Sequence, residues 1–335
     1  MEEAIRDFHK QFAWEPEVVS VNKLQHLKKF VVGGMGGSNL AGPLLAALRP
    51  MLDIVMHRDY GLPHLALAKE RFWIASSYSG NTEETIDFAK RVFKKGYPVA
   101  AISTGGKLIE FAAARRLPHI VIPDTKIQPR SALGFAMVGL AAFLRDSTLL
   151  SELHTLASRL NPAALEKKGK ALAAALRGKV PVVYSSTRNQ PIAYNWKIKF
   201  NETGKIPAFC NVFPELNHNE MTGFDVILHT KELSQNMHFI FLTDSTDHPQ
   251  IEKRMRVCAK LYEERGFPVT DVPLHGRTSL ERMFSSLLIA DWTALHLSRL
   301  YGTEAEKVPM VETFKRLIVV TSNKCLEHDK ILGYH

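Results

Sequence analysis

Cysteine is scarce: the 335 residues hold three, Cys210, Cys258 and Cys325, with no CxxC pair. That excludes a disulfide framework and a zinc ribbon, and it fits a reducing compartment. Long apolar runs are absent as well. The longest, Ala132–Leu144, holds 13 residues and stops at Arg145, well short of the ~20 that a membrane-spanning helix needs, so no membrane partner is expected. The opening MEEAIRDFHKQF is charged and amphipathic. It lacks the basic start and apolar core of a signal peptide, and a cytoplasmic location is expected. With 45% hydrophobic and 23% charged residues, composition excludes disordered, collagen-like and coiled-coil chains. The length suits two domains of roughly 100–200 residues each.

Charge of one sign does not dominate in blocks. The formal balance is +9, from 43 Lys and Arg against 34 Asp and Glu, yet the basic residues form only short clusters such as Arg91–Lys95 and Glu166–Lys170. Solvated helix faces account for these, and no nucleic-acid partner is expected. A small anionic substrate suits the same excess.

Apolar, β-branched runs stand at Phe30–Val32, Ile54–Met56, Phe72–Ala75, Val99–Ile102 and His119–Ile122. Between them lie helix-length stretches such as Ser38–Leu48, Thr82–Lys95 and Gly106–Arg116. Buried runs alternating with helices predict a parallel sheet covered on both faces. The pattern recurs at Val180–Ser185, Ala208–Phe213, Phe239–Thr243 and Val269–Val272, followed by a long helix at Ser279–Leu300. The fold class is therefore α/β with two doubly wound halves, joined by a helical stretch over Asp146–Lys179. The expected divisions are 1–148 and 149–317, with a tail of unassigned role at 318–335.

Two loops carry phosphate chemistry. Val31-Val-Gly-Gly-Met-Gly-Gly-Ser-Asn39 follows the first strand, where glycines let backbone N–H groups approach an anion at a helix start. Asn39 stands where a dinucleotide fingerprint needs its third glycine, and no GK[ST] follows, so NAD and a P-loop nucleotide are excluded. Ser76-Ser-Tyr-Ser-Gly-Asn-Thr-Glu-Glu-Thr85 opens a helix after the third strand. Its hydroxyls exceed what a capping box around Asn81 and Glu84 requires, and with a helix N-terminus they suit a phosphate monoester.

These two loops, with Pro129-Arg-Ser-Ala-Leu-Gly-Phe135, Phe200-Asn-Glu-Thr-Gly-Lys-Ile-Pro-Ala208 and Glu215-Leu-Asn-His-Asn-Glu-Met-Thr-Gly-Phe224, resemble the sugar isomerase (SIS) domains. More narrowly, they are similar to the bifunctional phosphoglucose/phosphomannose isomerases. The resemblance runs from about residue 28 to 316. It implies two SIS-type subdomains and an aldose–ketose isomerase that interconverts glucose 6-phosphate and mannose 6-phosphate with fructose 6-phosphate; the alternatives are a SIS regulator that binds a sugar phosphate without catalysis and another SIS enzyme acting on an amino-sugar phosphate. Gly37, Ser38, Ser77, Ser79 and Thr82 would hold the phosphate. Glu202 would be the base that moves a proton between C1 and C2 through a cis-enediolate, and Arg130 would stabilise that anion. His218 would help open the sugar ring from the neighbouring subunit, which makes a homodimer the catalytic unit. No cofactor and no metal is implied.

The residues themselves bear partly on these roles. Asn189 and Pro191 read as a helix start and Gly204 as its C′ residue, so Glu202 falls in a last turn whose dipole opposes a carboxylate. That suits a proton acceptor; a solvated glutamate beside Lys199 or Lys205 is the competing reading. His218 is one of 14 histidines, and neither PCxxC, HExxH nor GxSxG accompanies it. The family's ring-opening lysine aligns with Lys315 when Gly302 is matched to the glycine before the last helix. Lys307 is the alternative. The run Glu304-Ala-Glu-Lys307 departs from the family's aspartate–proline–threonine, which bears on how both epimers are admitted.

Overall fold

The computed structural model describes residues 1–25 and 27–318; most of the expected tail, including Cys325, lies outside them. Among the described residues nine strands form two sheets, each wholly parallel. The first holds β1 (Lys29–Gly34), β2 (Asp53–His57), β3 (Arg71–Ser76), β4 (Val99–Ser103) and β5 (His119–Val121) in the order β2-β1-β3-β4-β5. The second holds β6 (Val180–Ser186), β7 (Phe209–Phe213), β8 (Met237–Thr243) and β9 (Val269–Pro273) in the order β7-β6-β8-β9. All nine were expected from the apolar runs, with ends shifted by a residue or so.

Alternation along each strand divides the core. Val31, Trp73 and Ala75 pack with Phe88 and Val92 of the helix Glu83–Lys94. Phe30, Val32, Phe72 and Ile74 face the opposite way, as a period-2 strand requires. That second face meets the helix Leu133–Leu144, which is buried almost all round; hence its uninterrupted apolar sequence. In the second sheet Val183, Ile240 and Leu242 join this same cluster, so one core runs through both halves. The N-terminal segment seals it: Phe12 meets Phe284 of the helix Ser279–Leu300 edge-on, with ring centroids 4.8 Å apart.

The join consists of two helices, Ser147–Arg159 and Pro162–Ala175. Asp146 and Asn161 cap them by accepting from the amides of Leu149 and Ala164, and Pro162 sits at the first helical position. The stretch after β1 is not one helix. A 3-10 turn over Gly36–Asn39 precedes the helix Ala41–Leu48. Among the described residues no helix is long and apolar enough to cross a membrane.

Candidate active site

In the first sheet the chain leaves β1 toward β2 on one side, while β3 lies on the other. Loops 36–39 and 76–82 therefore meet at the carboxyl ends of adjacent strands, the crevice where parallel sheets bind ligands. The loops are laced together. Ser38 Oγ accepts from the Tyr78 amide at 2.7 Å, and Ser76 Oγ donates to the Ser38 carbonyl at 3.1 Å. Ser77 Oγ lies 2.9 Å from Thr82 Oγ1 and accepts from the Gly80 amide at 3.1 Å. Gly80 has φ +67°, and a Cβ there would stand 1.8 Å from the Gly105 carbonyl oxygen, so the turn admits glycine alone.

The alternative reading of this loop, a capping box around Asn81, is not what forms. Thr82, not Asn81, occupies the N-cap of the helix Glu83–Lys94, and it makes no capping bond. Asn81 turns aside instead, donating to the Ser79 carbonyl and accepting from the Lys107 amide. The first-turn amides of that helix are thus left without a side-chain cap, with the positive end of the helix dipole at the serine loop.

Arg130 stands next to this crevice. A Cβ on Gly37 would come within 2.7 Å of the Arg130 amide nitrogen, so the glycine lets the 36–39 turn lie directly on the 129–131 turn. The Arg130 side chain is 2% exposed, and every guanidinium nitrogen is engaged. Nε donates to Thr203 Oγ1 at 2.9 Å, Nη1 to Glu202 Oε2 at 3.2 Å, and Nη2 to the carbonyls of Ala305 and Glu306 at 2.7 and 3.0 Å. Buried Gln11 fixes the turn from behind, donating to the Ser131 carbonyl and accepting from the Gly134 amide.

Glu202 is the last residue of the helix Gln190–Glu202, and its side chain is 34% exposed. The helix start at Asn189–Pro191 and the stop at Thr203–Gly204 fall where the sequence placed them. The left-handed residue after the stop, however, is Lys205 (φ 58°) rather than Gly204. Gly204 is needed for a different reason: a Cβ there would be 2.8 Å from the Phe200 carbonyl oxygen. One turn earlier on the same helix, Lys199 Nζ pairs with the buried Asp291 at 2.6 Å. Burial holds the Asp291 carboxyl above the ordinary aspartate range, against the pull of Lys199 and Arg130.

The remaining expected residues lie apart from this cluster. His218 ends the 3-10 turn Glu215–His218 that follows β7, and it is exposed. The helix Gln190–Glu202 runs back from the carboxyl end of β6 to the amino end of β7. Glu202 and His218 therefore lie at opposite ends of the second sheet, about 18 Å apart along the helix axis alone. Lys315 is exposed on a helix over residues 309–318 and does not join the cluster. Lys307 enters it by its backbone, its carbonyl accepting from Lys205 Nζ at 2.6 Å.

Comparison with known proteins identifies the family. Residues 165–318 match the bacterial phospho-glucose isomerase C-terminal SIS domain family. A bifunctional phosphoglucose/phosphomannose isomerase of Caldicellulosiruptor bescii is 35% identical over 89% of this chain and 91% of its own. The chain belongs to this family. A second bifunctional isomerase, from Aquifex aeolicus, is 30% identical over 93% of this chain and 96% of its own. Among solved structures, a hypothetical protein of Thermus thermophilus superposes with a TM-score of 0.69 at 18% identity, covering 97% of this chain and 88% of that one. This chain is thus a bifunctional-isomerase family member with the SIS fold in both sheets.

Several residues of this phosphoglucose/phosphomannose isomerase relative escape sequence reading. Thr203, Gln11 and the carbonyls of Ala305 and Glu306 hold Arg130 and its turn, yet nothing in their residue types marks them. Lys205 bridges the carbonyls of Glu202 and Lys307; adjacency to Glu202 was its one signal. The second sheet's own crevice, between β6 and β8, is filled from within. Arg188 Nη2 pairs there with Asp244 and Asp247 at 2.9 and 3.0 Å, so the anion-ready loops belong to the first sheet.

Proposed function

We propose that this chain interconverts glucose 6-phosphate and mannose 6-phosphate with fructose 6-phosphate, with Glu202 as the proton-transferring base and Arg130 as the charge that steadies the enediolate. The contact between Arg130 and Glu202, made beside the phosphate-type loops, carries this reading. The phosphate does not react; held by Ser38, Ser77, Ser79, Thr82 and the helix amides, it anchors the sugar so that C1 and C2 reach the Glu202 carboxylate. Glu202 takes the proton from one carbon and returns it to the other. The negative charge that develops on the sugar oxygens is met by a guanidinium already fixed by Thr203, Glu202 and the carbonyls of Ala305 and Glu306. Such a cation needs no reorganisation during the reaction.

His218 supports a shared site. It is exposed and at the far end of the sheet from Glu202, so it serves ring opening in a partner subunit, and the working unit is a homodimer. Lys315 on the exposed 309–318 helix is the proposed assisting lysine, and the backbone at Ala305–Glu306, where the family run is replaced, borders the sugar beside Arg130.

The test is isotope exchange. Protein is incubated with fructose 6-phosphate in D₂O with EDTA, and deuteration at C1 and C2 is followed by NMR beside Glu202→Gln. Label with the wild type alone, entering glucose and mannose 6-phosphates, is expected. Saturable binding without label in the wild type would replace the isomerase with a sugar-phosphate sensor.

A further inference from the structure

The Glu215–Phe224 stretch carries His218 and two acids, and the reading above uses the histidine alone. Glu220 has the more elaborate surroundings. Tyr184 of β6 and Asn211 of β7 stand directly opposite each other in the ladder, so their side chains rise on one face of the sheet. Both reach Glu220. Tyr184 Oη donates to Glu220 Oε1 at 2.5 Å, and Asn211 Nδ2 donates to Glu220 Oε2. Tyr184 is fully buried among Phe213, Phe239, Phe241 and Tyr262. That burial holds its phenol far above the ordinary tyrosine value, so it stays a donor. The amide of Glu220 is engaged as well, donating to Asn219 Oδ1 at 2.6 Å.

A carboxylate set over an apolar sheet face costs desolvation that a leucine would not. What it adds is direction: one donor to each oxygen fixes the angle of the group as well as its depth. The neighbouring anchors are apolar. Leu216 is fully buried four residues before, and Phe224 packs on Phe239 at 4.9 Å four residues after. His218 lies midway between Leu216 and Glu220 and is exposed, so the turn that carries its ring sets where the ring stands. We propose that Glu220 is a positioning residue for His218, its carboxylate clamped by Tyr184 and Asn211 so that the turn presents the imidazole in one place. The inference rests on the reading above in which His218 opens the sugar ring. Opening breaks the C1–O5 bond; the ring oxygen gains a proton and the C1 hydroxyl gives one up, which demands an imidazole within hydrogen-bond reach.

Ring opening is separated from isomerisation in Glu202→Gln, which lacks the base. The readout is exchange between the α and β anomers of glucose 6-phosphate, followed by NMR exchange spectroscopy. Glu202→Gln is expected to accelerate this exchange, and adding His218→Ala is expected to abolish the gain. Adding Glu220→Ala instead should cut the gain by about 10²-fold, the cost of a misplacement near 1 Å, with fructose 6-phosphate binding unchanged. Glu220→Gln can accept from Asn211 and donate to the Tyr184 oxygen, so it should recover most of what alanine loses. Tyr184→Phe keeps the ring and removes one arm, and it should fall between. If Glu220→Ala keeps the full gain that His218→Ala abolishes, the positioning role is overturned and ring opening by His218 stands. Equal losses in Glu220→Ala and Glu220→Gln would make the charge itself the requirement and overturn it too. If Glu220→Ala does not fold, a full gain in Tyr184→Phe has the same force. If Glu202→Gln gives no gain, or His218→Ala keeps it, the reading beneath falls and takes the proposal with it.

Discussion

Arg130 Nη1 stands 3.2 Å from Glu202 Oε2, joining a turn of the first half of the chain to the last helical turn before β7 in the second. The guanidinium is buried and the carboxylate is at the rim, so the positive partner is the fixed one. The pair thus sets a buried, fully engaged cation beside a carboxylate that is a third exposed.

Arg130→Lys should separate charge from geometry. Lysine keeps the positive charge but cannot at once reach Thr203, Glu202 and the carbonyls of Ala305 and Glu306 as the planar fork does. The expected result is a fall in kcat of ~10²–10³, the range for losing a fixed donor to a developing anion, with a smaller change in KM. Steady-state kinetics with fructose 6-phosphate decide it. Equal kcat in the two proteins would remove Arg130 from the reaction.

Gly37→Ala reports on how the 36–39 turn sits against Arg130. The added Cβ would lie 2.7 Å from the Arg130 amide nitrogen and from the Pro129 carbonyl carbon, and both are backbone atoms that cannot swing away. One of the two turns must shift. Both KM and kcat should worsen, because phosphate anchoring and enediolate stabilisation move together. A change in KM alone, measured in the same assay, would show that the turns are independent.

The Lys199–Asp291 pair lies one helical turn beneath Glu202, buried from solvent. Lys199→Met should destabilise the protein by roughly 3–5 kcal/mol, since a buried carboxylate is left unpaired. The double variant Lys199→Met with Asp291→Leu should recover most of that loss. The pH sign follows from burial raising the Asp291 pKa: the native state binds more protons than the unfolded one above the ordinary aspartate value, so stability falls as pH rises through that window. Removing Lys199 strengthens this trend. Urea unfolding of Lys199→Met from about pH 4 to about pH 8 should show the smallest deficit at the acid end.

Much of this was legible in the sequence for identifiable reasons. The nine strands announced themselves because parallel strands buried on both faces need continuous apolar runs, as at Phe72–Ala75 and Phe239–Leu242. The serine loop and the helix ending at Glu202 were visible through glycine, proline and hydroxyl chemistry. What stayed hidden depends on contacts between distant segments. Gln11 reaches Gly134, and Arg130 reaches Ala305 and Glu306; backbone acceptors carry no residue signature. The competing capping box around Asn81 does not form, because Asn81 has another partner in the Lys107 amide, 26 positions away.

Lys205 gives the last prediction. It adopts a left-handed backbone, and its Nζ donates to the carbonyls of both Glu202 and Lys307, tying the helical turn of Glu202 to the segment that holds Arg130. Burial, and then the Arg130 charge, hold its pKa below that of an ordinary lysine. In the window between that lowered value and the ordinary one, the native protein has released a proton that the unfolded chain keeps. The ammonium clamp therefore weakens within this window while the chain itself gains stability. An alkaline loss of kcat without loss of fold is expected in the wild type. Lys205→Arg, whose guanidinium keeps its charge, should push that limb to higher pH, and Lys205→Met should lower kcat at every pH. Profiles of kcat against pH for the three proteins decide it: superimposable alkaline limbs in the wild type and Lys205→Arg would show that the limb belongs to another group and that Lys205 only packs.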